Sequence, residues 1–585
     1  MKLIFRCLNK YKSTVALAVF IKLLATFFEL ALPYIFEHIV DDVVPSGDLV
    51  EVVLWGLSMF AAAFVCRTLN VTANRRAVDN AHRISYELRQ TLFQKTSNLT
   101  GAQFDGFGLP SLISRMTSDS YNVQSAVQRI QTLCVRAPIL MVGGVIVAFT
   151  MDVSLTMILV VMLPILIAVT LLVSAKGIPL YTVVQKKLDA IVRIMRESIT
   201  GIRVVKALSK EQYEKRRFAA ANDEMTKRDI KAATIMAIPS PLMQLCLNIG
   251  LTLAVLIGAG RVNDGLMKPG VILAFLTYFN MITMGVMGLS RIFTILSKAS
   301  ASADRIDEVL QANTEQDILP PEEAPQPSGD EFIRFEHVDF NYGEDGGDTS
   351  GFDGESREKA LDDISFAIKK GESLGIIGPT GCGKTTVVNL LMHFYDAAGG
   401  GVFVDGRDVR TYEKDELRRR FGAVFQNDMI FMDTLRENID FGRGLSETAL
   451  RAALSDAMAA DFVDDLEDGL DYQASIKGAN LSGGQRQRIL VARALAADPD
   501  ILILDDASSA LDYKTDAAMR KAIARNHGDS TLIMIAQRVS SVMNMTKILV
   551  LDNGKCIGYG THEELLTSCA AYRETYEVQM GAIAG

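Results

Sequence analysis

Residues 373–386 read SLGIIGPTGCGKTT. Ser373–Ile377 is a short apolar run that predicts a buried strand, and the polar residues after it begin a helical pattern. Between them, Gly378–Thr385 fits G-x-x-x-x-G-K-[ST]. In a strand–loop–helix setting, glycines free the backbone N–H groups to wrap phosphates, and the helix N-terminus adds a favourable dipole. Lys384 then reaches the β- and γ-phosphates, and Thr385 holds Mg²⁺. Pro379, Thr380, Gly381, Cys382, Gly383 and Thr386 complete the candidate nucleotide-contacting loop. The fold this implies is an α/β P-loop NTPase.

Downstream, ILILDD (501–506) ends a second apolar strand at Asp505, which predicts a carboxylate delivered to Mg²⁺. Between the two strands lies LSGGQRQRILVARAL, in which Ser482, Gly483, Gly484 and Gln485 open a helix. A hydroxyl, glycine N–H groups and a helix N-terminus make a second phosphate-binding surface. One rigid domain cannot both cradle and cap a single phosphate chain without distortion, so the second surface is expected to serve a nucleotide held by another subunit.

Upstream, LPPEEAPQPSG (319–329) carries Pro320, Pro321, Pro325 and Pro327 and reads as an interdomain linker. Before it come six long apolar runs, near Thr14–Val40, Val52–Thr72, Ser120–Phe149, Leu155–Ser174, Ala232–Gly258 and Val271–Leu296. A helix needs about 20 apolar residues to cross a hydrocarbon core. The expectation is an all-α six-helix transmembrane domain over 1–310, a linker over 311–331, an α/β nucleotide-binding domain over 332–578 and a tail over 579–585.

Lysine and arginine concentrate before the first run and between runs two and three and runs four and five, while Asp41, Asp42, Asp48 and Glu51 lie on the other side. By the positive-inside rule both chain ends face the cytoplasm. The N-terminal residues lack the pattern of a cleavable signal peptide. Asn74–Ser97 and Gln185–Phe218 are polar but periodic, so the membrane helices are expected to continue into the cytoplasm.

Composition agrees with a hybrid chain: 585 residues, 49% hydrophobic, 22% charged, with mean hydropathy +0.20. A net charge of −9 speaks against nucleic acid as a partner. Seven cysteines without C-x-x-C spacing carry no metal or redox signature.

Taken together, these motifs resemble the ATP-binding cassette (ABC) exporters built as half-transporters, and the resemblance spans nearly the whole chain. It implies ATP and Mg²⁺ as cofactors, a second homologous half-transporter as partner, and a bacterial inner or plasma membrane as location. Tyr342 matches the adenine-stacking aromatic, Gln426 the glutamine that senses Mg²⁺, and Ser509–Asp512 (SALD) the loop that crosses the dimer seam. The turns near Gln103–Pro110 and Glu211–Phe218 match the coupling helices that dock on cassettes.

Three positions depart from that pattern. The general-base glutamate is Asp506, one methylene or about 1.5 Å shorter. The family's histidine is Gln537, which cannot carry a proton or a charge. Ile476 stands where an acid is common. Such a chain looks like the degenerate half of a heterodimer, with a slow site of its own and an LSGGQ that caps the partner's competent site. A homodimer with slow hydrolysis stays open as the alternative. A mainly regulatory cassette protein is the other class, disfavoured by the full set of six runs.

For substrate, Lys22 and Glu29 share a helix face and are placed to pair or snorkel. Asn248 and Asn280, with the Met281, Met284 and Met287 stripe, favour an adaptable cavity for amphipathic, multidrug-type compounds. Lipid or peptide export fits nearly as well. The stretch 343–357, GEDGGDTSGFDGESR, is expected as a surface loop.

Overall fold

The structure is a computed structural model that describes residues 1–312, 318–342 and 359–581. It forms two compact units: Met1–Thr96 with Pro110–Gln311, and Ser97–Leu109 with the chain from Ala312 onward. The loop expected at 343–357 lies outside the described residues.

The first unit is helical. Its long helices are α1 (Lys12–His38), α2 (Leu49–Ser97), α3 (Ser120–Met151), α4 (Val153–Thr200), α5 (Glu211–Ala237), α6 (Pro239–Asn263) and α7 (Pro269–Gln311). Among the described residues, five helical stretches are long and apolar enough to cross a membrane: Lys12–Ser46, Leu49–Ser97, Leu109–Met151, Glu211–Asn263 and Pro269–Gln311. The fourth expected run falls at the start of α4, where the described residues are apolar from Val153 to Val169.

The connections follow from local chemistry. A single residue, Asp152, separates α3 from α4; its carboxylate caps the Leu155 N–H at 2.9 Å and pairs with Arg261 at 3.0 Å. Asp41 receives the Gly270 and Val271 N–H groups at 2.6 and 3.1 Å and so closes the start of α7. Pro239, which lacks an N–H, opens α6 directly after α5. Small residues let α3 and α7 approach closely: a side chain at Gly285 would meet the Ala137 carbonyl oxygen at 2.9 Å. Tyr278, fully buried, donates to the Leu30 carbonyl at 2.6 Å and ties α7 to α1.

Two expectations are corrected here. The second cytoplasmic connection is not one helix through Phe218. It breaks at Gly201 and again at Leu208–Lys210, where Ser209 takes a left-handed φ of 51°. Glu211–Phe218 is therefore the start of α5, and the turn itself is 201–210. Lys22 and Glu29 do not pair: Glu29 is held by Arg136, and Lys22 donates to Asn70 and Asn74.

Among its described residues the second unit holds ten strands: β1 (Ile333–Phe340), β2 (Leu361–Ile368), β3 (Ser373–Ile377), β4 (Gly399–Val404), β5 (Arg407–Asp408), β6 (Phe421–Val424), β7 (Ile501–Asp505), β8 (Thr531–Ile535), β9 (Lys547–Asp552) and β10 (Lys555–Gly560). One sheet runs β2-β1-β4-β5 and is antiparallel. The other runs β10-β9-β3-β8-β7-β6, parallel except for β10 at its edge. Ile501–Asp505 is buried at every residue, as expected for a parallel strand covered on both faces. The helices used below are α8 (Lys384–Leu391), α9 (Gly483–Leu495), α10 (Tyr513–Asn526) and α11 (Ala570–Gly581).

Candidate functional site

Strand order places the chemistry. β3, β8 and β7 lie side by side and parallel, so their carboxyl ends open on one edge of the sheet. The G-x-x-x-x-G-K-T loop leaves β3 there, Gln537 follows β8, and Asp505 ends β7. Ligands of open α/β sheets bind at such an edge. A cleft of about 920 Å³ occupies it, lined by Tyr342, Thr380–Gly381, Gly383–Thr386, Gln426, Asp505–Asp506 and Gln537 among others.

The loop's glycines are sterically required. Gly381 and Gly383 have φ of 87° and 101°, and a side chain at Gly378 would land on the Leu551 carbonyl oxygen. Lys384 folds its ammonium onto the Gly378 and Pro379 carbonyls at 2.9 and 2.7 Å. Thr385 donates to Asp505 Oδ2 at 2.8 Å, so the two oxygens expected to hold Mg²⁺ meet at the cleft. Hard hydroxyl and carboxylate oxygens set together suit Mg²⁺. Burial pushes the Asp505 and Asp506 carboxyls above the usual aspartate range.

Cys382 faces away from the opening. It is 3% exposed, and burial raises its thiol pKa. Pro379 lines a separate pocket of about 360 Å³ with Ile557 and Tyr572. Tyr342 packs edge-on against Phe340 and Tyr395, with ring centroids 4.7 and 5.3 Å away, and its hydroxyl lies 3.1 Å from Thr386 Oγ1.

The LSGGQ residues sit away from this cleft. Ser482 caps α9 by accepting from Gln485 N–H at 3.2 Å, while Gln485 Oε1 accepts from Ser482 N–H at 2.8 Å. This reciprocal capping box fixes Gly483 and Gly484 in the helix's first turn. Asp512 caps α10 through Thr515, whose hydrogen bonds hold the Asp512 carboxyl below the usual range. Ile476 is 67% exposed.

Two residues went unnoticed in the sequence. Gln487 on α9 donates to Ser509 Oγ at 2.8 Å and accepts from Ala510 N–H at 2.8 Å, so it ties α9 to the loop after Asp506. Gln579 on α11 accepts from Val539 N–H at 2.7 Å and donates to the Gln537 carbonyl at 3.0 Å. It lies one residue past the boundary expected at 578, yet clasps the segment that carries Gln537. Gln487 falls inside the quoted LSGGQRQRILVARAL stretch, but its bonds to Ser509 and Ala510, like those of Gln579, are visible only in the tertiary structure.

The helix Gly101–Phe107, capped by Thr100, belongs to the same unit as these strands. Gly101 N–H donates to the Phe394 carbonyl at 3.3 Å, and the Tyr395 hydroxyl donates to Asp105 at 2.6 Å.

Residues 15–286 match the ABC transporter transmembrane region family, and residues 361–509 match the ABC transporter family. The chain is 34% identical to an uncharacterized ABC transporter ATP-binding protein of Mycobacterium tuberculosis, over 97% of this chain and 96% of that protein. It is 31% identical to an ATP-dependent lipid A-core flippase of Desulfotalea psychrophila, over 97% of each. Its fold matches that of a bacterial Atm1-family ABC exporter solved with ATP bound, at 22% identity and TM-score 0.80, covering 97% of this chain and 99% of that one.

Proposed function

The chain belongs to the ABC transporter family as an exporter half-transporter, a membrane domain fused to one ATP-binding cassette, and from that premise we propose that it is the weakly hydrolysing half of a heterodimer. The carrying observation is the pair Asp506 and Gln537 on the wall of an otherwise complete cleft. Lys384 and the loop N–H groups bind the phosphates, Thr385, Asp505 and Gln426 hold Mg²⁺, and Tyr342 stacks on adenine. Mg²⁺ supplies charge neutralisation for phosphoryl transfer. Asp506 orients the attacking water from a carboxylate about 1.5 Å farther back than a glutamate's, and a misplacement near 1 Å can cost about 100-fold.

Ser482, Gly483, Gly484, Gln485 and Asp512 serve across the seam, where the partner's nucleotide is capped and hydrolysed. The transported compounds are amphipathic and of multidrug type, and movement is outward. The chain lies in a bacterial inner membrane with both ends in the cytoplasm. It divides at about 310 and 332.

Native mass spectrometry of the complex purified from its own host tests the arrangement. A one-to-one assembly with a different half-transporter is expected. A homodimer, in which Asp506 and Gln537 must themselves sustain turnover, overturns it.

A further inference from the structure

Within the first unit, α1, α2 and α3 line an open cavity of about 420 Å³, with Lys22, Glu29, Arg67, Asn70, Asn74 and Arg136 on its wall. Lys22 stands about 15 Å along α1 from Lys12, inside a stretch apolar enough to span a membrane. It is 5% exposed.

The charges do not balance. Glu29 is consumed by Arg136 in a two-toothed pair, with contacts of 2.6 and 3.1 Å. Among the described residues, the Lys22 ammonium meets only the amide oxygens of Asn70 and Asn74, at 2.7 and 3.2 Å. An amide oxygen orients an ammonium but brings no negative charge, and an ammonium has three donors to place. Arg67 makes no ion pair among the described residues. Three cations therefore face one carboxylate on a wall set among membrane helices, where an uncompensated charge is expensive and marks a functional site.

We propose that this cavity is the recognition site for the anionic head group of an amphiphile, with Lys22 and Arg67 as its charge partners. Asn70 and Asn74 hold the Lys22 ammonium in place, and the Glu29–Arg136 pair fixes the far wall. The volume suits a phosphate- or carboxylate-sized head group but not a long alkyl chain as well, so the chain lies along the lipid-facing helix surface. This inference rests on the exporter reading and narrows its substrate class from amphipathic to anionic.

The test uses the full complex in phosphatidylcholine nanodiscs, without nucleotide. Two probes are titrated: a dansyl-tagged dodecyl phosphate and the same chain ending in trimethylammonium. The phosphate probe is expected to bind the wild type and to weaken at least about tenfold, or 1.4 kcal/mol, in Lys22→Gln and in Arg67→Gln. The ammonium probe is expected to bind more weakly and to be indifferent to both changes. Asn74→Asp, which sets a carboxylate beside Lys22, is expected to act like Lys22→Gln. Arg67 is exposed, so its variant carries the test alone should the buried substitution misfold.

Equal phosphate-probe affinity in wild type and variants overturns the proposal, as does a preference for the ammonium probe. Displacement by millimolar inorganic phosphate overturns the amphiphile requirement in favour of a free anion. Binding that obeys these expectations, in vesicles where ATP drives no movement of the probe, overturns the exporter reading while leaving the head-group site standing.

Discussion

Asp506 is a residue whose backbone and side chain pull in related directions. It sits at φ 53°, a left-handed conformation that aspartate and asparagine tolerate better than longer side chains. Asp506→Glu extends the carboxylate toward the cleft at some conformational cost. With the partner's own general base removed, phosphate release by the complex is expected to rise about tenfold or more, up to about the 100-fold that a 1 Å correction is worth. An unchanged rate contradicts the degenerate-site reading. Cys382 yields a different expectation. It lies inside the phosphate loop, where alkylation would block the nucleotide sterically, but a buried thiol with a raised pKa holds little thiolate at neutral pH. N-ethylmaleimide is therefore expected to inactivate slowly at pH 7, with a rate climbing about tenfold per pH unit below the thiol's pKa. Inactivation as fast as that of a free thiol counts against this.

Among elements, the Gly101–Phe107 helix has the sharpest mutational signature. A side chain at Gly101 would meet the Phe394 carbonyl at 2.8 Å and the Tyr395 ring at 2.9 Å. Gly101→Val is expected to unseat the helix, leaving ATP affinity intact while abolishing any stimulation of ATPase by transported compound. Tyr395→Phe removes only the bond to Asp105 and is expected to cost about 1 kcal/mol of that contact, visible as partial loss of stimulation. On α9, Ser482→Ala breaks the capping box and is expected to cost about 1 kcal/mol of helix stability, read as a lower melting temperature of the complex.

The same scale shows what a sequence can disclose. The phosphate loop, Asp505 and the start of α9 were legible because each is a contiguous strand–turn–helix signal. The true partner of Glu29 was not, because Arg136 lies more than a hundred residues away and seven-residue spacing on one helix points to Lys22 instead. Gln487 and Gln579 escaped because the partners described above lie 22 to 42 residues away in the chain, and the 201–210 turn was displaced because its break rests on Gly201 and Ser209 rather than on a proline.

For the whole molecule, the capping surface at Ser482 and the phosphate loop at Lys384 belong to one chain but to different nucleotides in the proposed assembly. ATPase activity is then expected to depend on assembly: diluted single chains in detergent hydrolyse little, and specific activity rises with concentration of the partner until a one-to-one ratio. Concentration-independent activity of the isolated chain refutes shared sites. The order of runs, linker and cassette is a contiguous signal and so is legible in the sequence, and the start of α4 carries the fourth expected run.

The helix α2, Leu49–Ser97, contains 49 residues and no proline. It is about 73 Å of uninterrupted rod. As a lever arm it has no joint at which to lose motion: a tilt of about 5° at Leu49 sweeps Ser97 through about 6 Å, close to a full helical turn. Stiffness, more than any contact at its tip, sets the gain of that lever, so a flexible break such as a Gly-Pro pair placed near its middle turns a push rod into a slack cable.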